Sequence, residues 1–228
     1  MPLIIAHRGD SKHAPENTFA AFKRAIDAGA DGIELDVRLA KDGVAVVFHD
    51  SSLKRIAGRK GKIAHYTSTE LGSIDAGSWF NRVAPSFANV AYKSESVPTL
   101  AETLEFLKDF KGLLYVELKC KAADTEHLAR AVTDVICGSK LLPQIVIKSF
   151  KLSTIPFIKK FCPTVRTAAL FAPKILNIIR KDKHVLNLAE EAGADEISLH
   201  FTLATRKLVK KAAKRNLRVI IWTADHPR

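Results

Sequence analysis

The sequence contains 228 residues, of which 47% are hydrophobic and 26% are charged. This composition excludes a disordered or collagen-like chain, and the length suits one large domain or two small ones. The 36 Lys and Arg residues outnumber the 24 Asp and Glu residues, which gives a net charge of +12 with neutral histidines. A positive field of this size attracts anions but does not determine the fold.

The cysteines and the apolar runs indicate where the protein works. Cys120, Cys137 and Cys162 are an odd number and lack C-x-x-C spacing, which argues against a secreted disulfide framework and against a zinc knuckle. The apolar start is too short for a signal peptide, and no apolar run approaches the roughly 18 residues that span a membrane. We therefore expect a cytoplasmic protein without a transmembrane segment.

Basic residues cluster at residues 54–62, 178–183 and 209–218, but these clusters do not indicate a nucleic-acid surface. Aromatic residues make up only 7% of the chain and are not interleaved with the basic clusters. Proteins that bind single strands combine a basic groove with aromatic stacking platforms. We expect no specific nucleic-acid partner and interpret the charge runs as solvated helix faces.

Short apolar runs rich in branched residues alternate with amphipathic helical segments along most of the chain. This pattern is typical of βα units around a parallel sheet, and it predicts an α/β fold. Phe19, Phe22 and Ile26 recur at helical spacing in one such segment, and Thr99 with Glu102 predicts a capping box at the start of another. Seven core strands are predicted, at residues 3–8, 32–38, 113–119, 145–150, 165–171, 196–201 and 218–224.

One segment departs from the βα pattern. The second strand is predicted to turn at Lys41-Asp42-Gly43 into the run VAVVFHD, because Asp-Gly between apolar runs favours a hairpin. Residues 51–97 then show little sustained periodicity, and a loop of this length is usually functional or a small insertion. We expect one domain over residues 1–228, with residues 51–97 as a small subdomain over the mouth of a barrel.

Three carboxylates are predicted to face one another. Side chains alternate along a strand, so Glu34 and Asp36 point to one face, and Glu117 and Lys119 share a face of the next core strand. Carboxylates this close repel one another unless a cation lies between them. Three of them from two strands suit a hard divalent cation, Mg²⁺ or Ca²⁺. The alternative is that each carboxylate pairs with a nearby lysine or arginine.

Two histidines end strands beside these carboxylates. His7 closes the first strand and His49 closes the hairpin strand. A lone histidine at a strand end is more often structural, but a parallel barrel gathers the C-terminal ends of its strands around one site. A metal ion, two imidazoles, Arg8 and Lys119 around a small volume fit phosphoryl chemistry, in which one imidazole accepts a proton and the other donates one. The sequence contains no G-x-S-x-G, G-x-x-x-x-G-K-[ST], G-x-G-x-x-G or H-E-x-x-H motif.

Several motifs in order carry a resemblance to a known family. The sequence resembles the glycerophosphodiester phosphodiesterases, most closely their short, cytosolic, bacterial-type members. Each motif alone is weak, but their order and spacing together are specific. The motifs are HRG at 7–9, PENT at 15–18, ELD at 34–36, KDG-VAVVFHD at 41–50, VPTLAE at 97–102 and VELK at 116–119.

The resemblance implies a TIM-type (β/α) barrel that hydrolyses glycerophosphodiesters to sn-glycerol 3-phosphate and an alcohol. In the mechanism usually proposed for the family, the neighbouring glycerol hydroxyl attacks phosphorus and water opens the resulting cyclic phosphate. Trp222, at the end of the seventh strand, is interpreted as a pocket wall, with core packing as the alternative. Matched residue by residue, the implied metal ligands are Glu34, Asp36 and Glu117, the acid and base are His7 and His49, and the phosphate is held by Arg8 and Lys119.

One departure from the family concerns the barrel. Family members continue past Trp222 with a further helix and a final strand, whereas this sequence ends at Arg228. We expect seven core strands and an unfilled eighth position. Such a gap exposes strand edges and apolar surface, which invites pairing with another chain or poor solubility. The alternatives are a truncated chain or a homodimer that covers the gap.

Two rival functions remain open. One is a lysophospholipase D-like activity on lipid substrates in the same kind of barrel. The other is a catalytically silent barrel that binds polyanions through its positive surface, with an affinity that falls steeply with salt. The residues leave open the choice between Mg²⁺ and Ca²⁺, the alcohol that is released and the oligomeric state.

Overall fold

In the part of the chain that the structure describes, eight strands form a single curled sheet. The structure, a computed structural model, describes residues 2–173 and 182–224. Seven of the strands are parallel, in the order β1-β2-β4-β5-β6-β7-β8, and β3 pairs antiparallel with β2. The strands are β1 (Ile5–His7), β2 (Gly32–Leu39), β3 (Ala45–Val47), β4 (Leu113–Leu118), β5 (Ile145–Ser149), β6 (Arg166–Phe171), β7 (Glu196–His200) and β8 (Arg218–Trp222).

Helices connect the parallel strands. None of the helices in the described ranges combines the length and apolarity that crossing a bilayer requires. Short 3-10 turns lie at Ile63–His65, Pro85–Phe87, Val90–Ser94, Ala122–Asp124, Leu142–Gln144 and Phe201–Leu203. The α-helices in those ranges are α1 (Phe19–Asp27), α2 (Lys54–Ala57), α3 (Ser68–Gly72), α4 (Ser78–Val83), α5 (Leu100–Phe106), α6 (Thr125–Ile136), α7 (Thr154–Phe161), α8 (Asp182–Glu191) and α9 (Arg206–Ala213).

The predicted α/β pattern is confirmed. Each of the seven predicted core strands coincides with a parallel strand, and their bounds agree within two residues. The predicted hairpin is present, since Val37 of β2 lies opposite Val47 of β3. Helix α5 begins with the predicted capping box, in which Thr99 accepts from the backbone N–H of Glu102 and the Glu102 carboxylate accepts from that of Thr99.

Alternation along the strands separates the apolar core from the polar interior of the sheet. Ile33, Leu35 and Val37 of β2 are fully buried and belong to the large apolar cluster that includes residues of α1 and α6. Glu34 and Asp36 alternate with them and therefore point to the other face. That inner face holds a small apolar layer around Tyr115, Val146 and Ala168, nearer the start of the strands. The acidic residues of β2 are thus placed inside the curled sheet.

Residues 51–97 lie between β3 and α5 and include α2, α3 and α4. They have an apolar cluster of their own, with Leu53, Ile56 and Leu71 buried against Phe48. The segment is therefore packed rather than loose. The assignment of one domain with this segment as a subdomain over the mouth stays a prediction.

The path of strand pairing runs from β1 to β8. A cleft of about 1300 Å³ is lined by residues of both strands and reaches inward to His7 and Lys148. Leu3, Ile4 and Ile221 are exposed large hydrophobic residues on these two edges. The unfilled eighth position and the homodimer stay predictions, and residues 225–228, on which the expected end of the chain falls, lie outside the described residues.

Two of the three cysteines are paired, although their odd number and spacing argue against a disulfide framework. Cys137 and Cys162 form a disulfide with a Cα–Cα distance of 6.1 Å, and Cys120 is free. Each of the paired cysteines is the C-cap residue of its helix, α6 or α7, and the two helices pack against each other. The odd count of cysteines gave no sign of this pair, because it depends on helix packing.

The glycine after Arg8 is required by both backbone conformation and space. Gly9 has a φ of 77°, and a Cβ there would lie 2.6 Å from the backbone carbon of Ala21. We expect Gly9→Ala to lower the free energy of unfolding by about 1–3 kcal/mol more than Gly29→Ala. Gly29 has a similar φ of 76° with nothing within 4 Å of its Cβ position, so it isolates the cost of backbone strain. Equal losses for the two variants in urea titrations would contradict the predicted clash.

Candidate active site

Three buried carboxylates meet inside the sheet. Asp36 of β2 lies in register with Glu117 of β4. Glu34 precedes Asp36 on the same face of β2. All three are at most 4% exposed, and one oxygen of each lies within 4.8 Å of one oxygen of each of the others. The convergence predicted from strand alternation is therefore present.

Three cations pair with these carboxylates. Lys148 Nζ lies 2.9 Å from Glu34 Oε1 and 3.6 Å from Glu117 Oε2. Lys119 Nζ contacts Glu117 Oε1 directly and lies 3.2 Å from Asp36 Oδ1. Arg8 Nε lies 3.1 Å from Asp36 Oδ2. The carboxylates converge, as the predicted metal site requires. Each also has a cationic partner, as the alternative of ion pairing predicts.

Burial favours the protonated form of all three acids, and the neighbouring cations offset this effect to different extents. Burial raises the pKa of Glu34 and of Glu117, and the attraction of Lys148 lowers it only in part. Burial also opposes ionisation of Asp36, but Lys119 and Arg8 outweigh it and lower the pKa of Asp36 to about 2. Asp36 is therefore ionised at neutral pH. Additional positive charge would stabilise the ionised forms of Glu34 and Glu117, which burial disfavours.

The donor set fits a hard divalent cation. Glu34 Oε1, Asp36 Oδ1 and Glu117 Oε1 are buried, and within the described residues their partners are the ammonium groups of Lys148 and Lys119. Carboxylate oxygens are the ligands that Mg²⁺ and Ca²⁺ prefer. These three residues could hold such an ion.

His7 ends β1 beside Glu34, with 3.9 Å between His7 Nε2 and Glu34 Oε2. Burial, followed by the positive charges of Arg8 and Lys148, lowers the pKa of His7 to about 4. The imidazole is therefore neutral at neutral pH and has a lone pair with which to accept a proton.

His49 is held by a carboxylate and an arginine. Its Nδ1 lies 2.7 Å from Asp50 Oδ1, and Arg55 donates to both oxygens of Asp50 at 2.7 and 3.1 Å. The His49 carbonyl accepts from Arg38 Nε at 2.8 Å. Because Nδ1 is engaged by Asp50, Nε2 is the nitrogen of His49 left for proton transfer.

Arg55 also reaches the loop that follows β1. It donates to Glu16 at 2.7 and 2.9 Å, and Glu16 in turn accepts from Arg8 at 3.0 Å. The Arg55 guanidinium therefore links Asp50, which contacts His49, with Glu16, which contacts Arg8. Its stack over the ring of Trp79, 5.5 Å from the ring centroid, adds a further contact within the segment 51–97.

Two residues of the β1–α1 loop have left-handed backbones. Arg8 has a φ of 61° and Asn17 a φ of 59°, a conformation that costs about 1–3 kcal/mol for residues other than glycine. Asn17 is buried, donates to Asp36 Oδ2 at 2.9 Å and accepts from the Asp36 backbone N–H at 3.2 Å. These two hydrogen bonds help to offset the strain and fix the orientation of Asp36.

Trp222 lies in an aromatic group at the end of β8. Its ring meets Phe150 edge-on at 5.6 Å and His200 at 5.0 Å, and Lys119 Nζ lies 5.8 Å from the centroid of Phe150. Trp222 lines the same cleft as His7. Its position is compatible with the expected pocket wall.

The structure thus brings together most of the residues that the sequence singled out. Arg8 and Lys119 both contact Asp36, and Lys119 also contacts Glu117. Glu34 completes the acidic cluster, and His7 lies next to it. His49 follows β3 and lines a small pocket together with Glu16 and Asn17. Sequence reasoning assigned no site role to Lys148, Asn17 or Arg55.

Comparison with known proteins decides the family. Residues 7–228 match the model of the Glycerophosphoryl diester phosphodiesterase family. The chain belongs to this family. A glycerophosphodiester phosphodiesterase of Caldanaerobacter subterraneus subsp. tengcongensis is 33% identical to it over 223 residues, which cover 98% of this chain and 86% of the relative. This member of the family is accordingly a phosphodiesterase, and thus a hydrolase.

Solved structures agree with the family and the fold. A phosphodiesterase of Oleispira antarctica, determined in complex with the product sn-glycerol-3-phosphate, superimposes with a TM-score of 0.85 at 26% identity, covering 99% of this chain and 86% of that one. The glycerophosphodiester phosphodiesterase of Agrobacterium tumefaciens str. C58 gives a TM-score of 0.77 at 28% identity, covering 99% and 88%. The parallel sheet of this phosphodiesterase is therefore of the TIM-barrel type seen in its structural neighbours.

Proposed function

We propose that the protein hydrolyses glycerophosphodiesters to sn-glycerol 3-phosphate and an alcohol, with a divalent metal ion, Mg²⁺ or Ca²⁺, and two-histidine acid–base catalysis. The observation that carries this proposal is the convergence of three buried carboxylates within 4.8 Å beside His7. Glu34, Asp36 and Glu117 would hold the ion. When bound, such an ion polarises a phosphoryl oxygen and neutralises charge that develops on it.

The cations and the aromatic group bind and orient the substrate in this proposal. Arg8 and Lys119 are 18% and 15% exposed, so their charged groups remain within reach of a phosphate at the mouth of the sheet. A guanidinium and an ammonium both bind phosphate oxygens by charge-assisted hydrogen bonds. Trp222 would form an apolar wall of the pocket for the glycerol or alcohol part.

The two imidazoles move the protons. One accepts the proton of the attacking hydroxyl, and the other donates a proton to the leaving alcohol oxygen. The carboxylate of Asp50, 2.7 Å from Nδ1 of His49, orients this imidazole and leaves Nε2 for the substrate, and His49 is assigned as the donor. His7, whose pKa is lowered by burial and by the positive charges of Arg8 and Lys148, is neutral at neutral pH and is suited to accept.

The nucleophile in this proposal is the glycerol hydroxyl next to the phosphorylated carbon. An intramolecular hydroxyl has an effective concentration that can reach about 10⁵–10⁸ M. The protein then needs only to position this hydroxyl and to transfer protons, and water opens the cyclic phosphate in a second step.

A panel of substrates tests this proposal. The protein is incubated with Mg²⁺ or Ca²⁺ and glycerophosphodiesters of different alcohols, and the products are identified by ³¹P NMR. We expect sn-glycerol 3-phosphate from short-chain diesters and no cleavage of a micellar lysophospholipid, whereas the reverse preference would favour the lysophospholipase D-like reading. A matched diester of propane-1,3-diol lacks the neighbouring hydroxyl and should remain intact, and its cleavage would contradict the cyclic route.

The cytoplasmic location, the homodimer and the absence of a specific nucleic-acid partner remain predictions. The silent polyanion-binding alternative makes a different prediction for the same protein, since its binding would weaken steeply with salt and ignore chelation of the metal.

Arg55 is expected to position the catalytic groups without touching substrate. Arg55→Met should lower kcat about 10–100-fold with KM changed less than about threefold, because a misplacement of about 1 Å can cost a catalytic group a factor of 10². Arg55→Lys keeps the charge but cannot reach both carboxylates in the same bidentate geometry, so its kcat should lie between those of the wild type and Arg55→Met. Arg59→Met removes the same charge from an exposed site in the same segment and should leave kcat unchanged. A loss confined to KM in Arg55→Met would contradict a positioning role.

A further inference from the structure

A lysine occupies the middle of a core strand beside the proposed metal ligands. Lys148 lies in β5, in register with Glu117 of β4. Its side chain is only 6% exposed, and its ammonium contacts Glu34 at 2.9 Å and Glu117 at 3.6 Å. Lysine is almost never buried unless it is paired, so these two contacts account for its place in the strand.

The three carboxylates have cationic partners without a metal ion. These are Lys148, Lys119 and Arg8, of which Arg8 also pairs with Glu16. Lys119 and Arg8 are partly exposed and have long side chains that reach the mouth of the sheet, so their charge is available to a phosphate. Lys148 is enclosed on a rigid strand, so its charge stays next to the carboxylates.

We propose that Lys148 is a built-in competitor of the divalent ion: its ammonium stabilises the carboxylates in the metal-free protein and thereby weakens metal binding. This inference rests on the proposed metal site. A positive charge a few ångströms from a divalent ion in a partly buried site is strongly repulsive. The carboxylates must exchange the Lys148 ammonium for the ion, and the ion must then tolerate the ammonium nearby.

Isothermal titration calorimetry with MgCl₂ and with CaCl₂ tests this role directly, without an activity measurement. We expect Lys148→Gln to bind the ion about tenfold or more tightly than the wild type. Lys148→Arg keeps the charge and should bind within about threefold of the wild type. Lys140→Gln removes one charge from an exposed position at the turn before β5 and controls for the change in net charge.

Thermal unfolding followed by circular dichroism covers the case in which Lys148→Gln folds poorly. The variant leaves Glu34 and Glu117 buried with less compensating charge, so its metal-free form should melt at a lower temperature than the wild type. Saturating metal should raise its melting temperature by more than that of the wild type. A variant that folds only with metal would support the inference equally.

Two results would overturn the inference, and they differ in their meaning for the function. If the wild type binds the ion and Lys148→Gln binds it no more tightly, Lys148 is not a competitor, while the proposed reaction stands. If neither the wild type nor any variant binds Mg²⁺ or Ca²⁺, the metal-dependent reaction and the role of Lys148 both fail.

Discussion

Replacement of His7 or His49 by alanine is expected to lower kcat about 10²–10⁴-fold in each case, because each imidazole moves one proton in the reaction. Both side chains are partly exposed at the ends of strands, so truncation leaves no cavity in the core. The measurement is steady-state hydrolysis of a short-chain glycerophosphodiester at saturating metal, together with a thermal melt of each variant.

The control for this pair is His65→Ala. His65 is exposed in a 3-10 turn of the segment 51–97, and its removal should change neither kcat nor the melting temperature. If both His7→Ala and His49→Ala retained wild-type turnover, the assignment of acid and base would be wrong. If the melting temperature fell along with turnover, the loss would have to be attributed to the fold.

Asp36→Asn is expected to reduce turnover by about 10² or more, because it removes one negative charge at the position where the proposed ion and two cations meet. Asp36 is fully buried and is contacted by Lys119, Arg8 and Asn17. The near-isosteric amide keeps the shape and removes the charge. We also expect a lower free energy of unfolding, by up to about 3–5 kcal/mol, since breaking a buried ion pair leaves its partners uncompensated.

Activity, metal affinity and urea unfolding of Asp36→Asn should be measured together. Asp134→Asn makes the same chemical change at an exposed position of α6 and should leave all three unchanged. Retention of metal affinity by Asp36→Asn would show that this carboxylate is not a ligand. Loss of stability without loss of metal affinity would favour the simpler reading, in which the carboxylates only form ion pairs.

The sheet and the acidic cluster could be predicted from the sequence because both depend on local periodicity. Branched apolar runs marked the seven parallel strands, and period-2 alternation put Glu34 and Asp36 on one face. The order of the strands then brought Glu117 beside Asp36. That neighbour relation was an expectation from the general architecture of parallel sheets rather than from any single residue.

Lys148 was missed although its signal was present. The run IVIKSF predicts a core strand, but a charged residue inside such a run requires a buried partner. The same reasoning that singled out Glu34 and Glu117 would have assigned Lys148 to them. A charged residue in a predicted parallel strand is therefore as informative when it is basic as when it is acidic.

Arg55 and the cysteine pair could not be found in this way. The partners of Arg55 are 5 and 39 positions away in the chain, in a segment without periodicity, and only the packing of residues 51–97 against the β1–α1 loop brings them together. Cys137 and Cys162 meet because α6 and α7 pack side by side. Both features are products of tertiary packing, which no local pattern encodes.

A crystal structure of the protein grown with CaCl₂ and sn-glycerol 3-phosphate tests the central claim most directly, with anomalous scattering to locate the ion. We predict one calcium ion bound by an oxygen from each of Glu34, Asp36 and Glu117, with His7 and His49 on either side of the phosphate. An ion bound elsewhere, or carboxylates still paired with Lys119 and Lys148 and no ion between them at saturating calcium, would contradict the account.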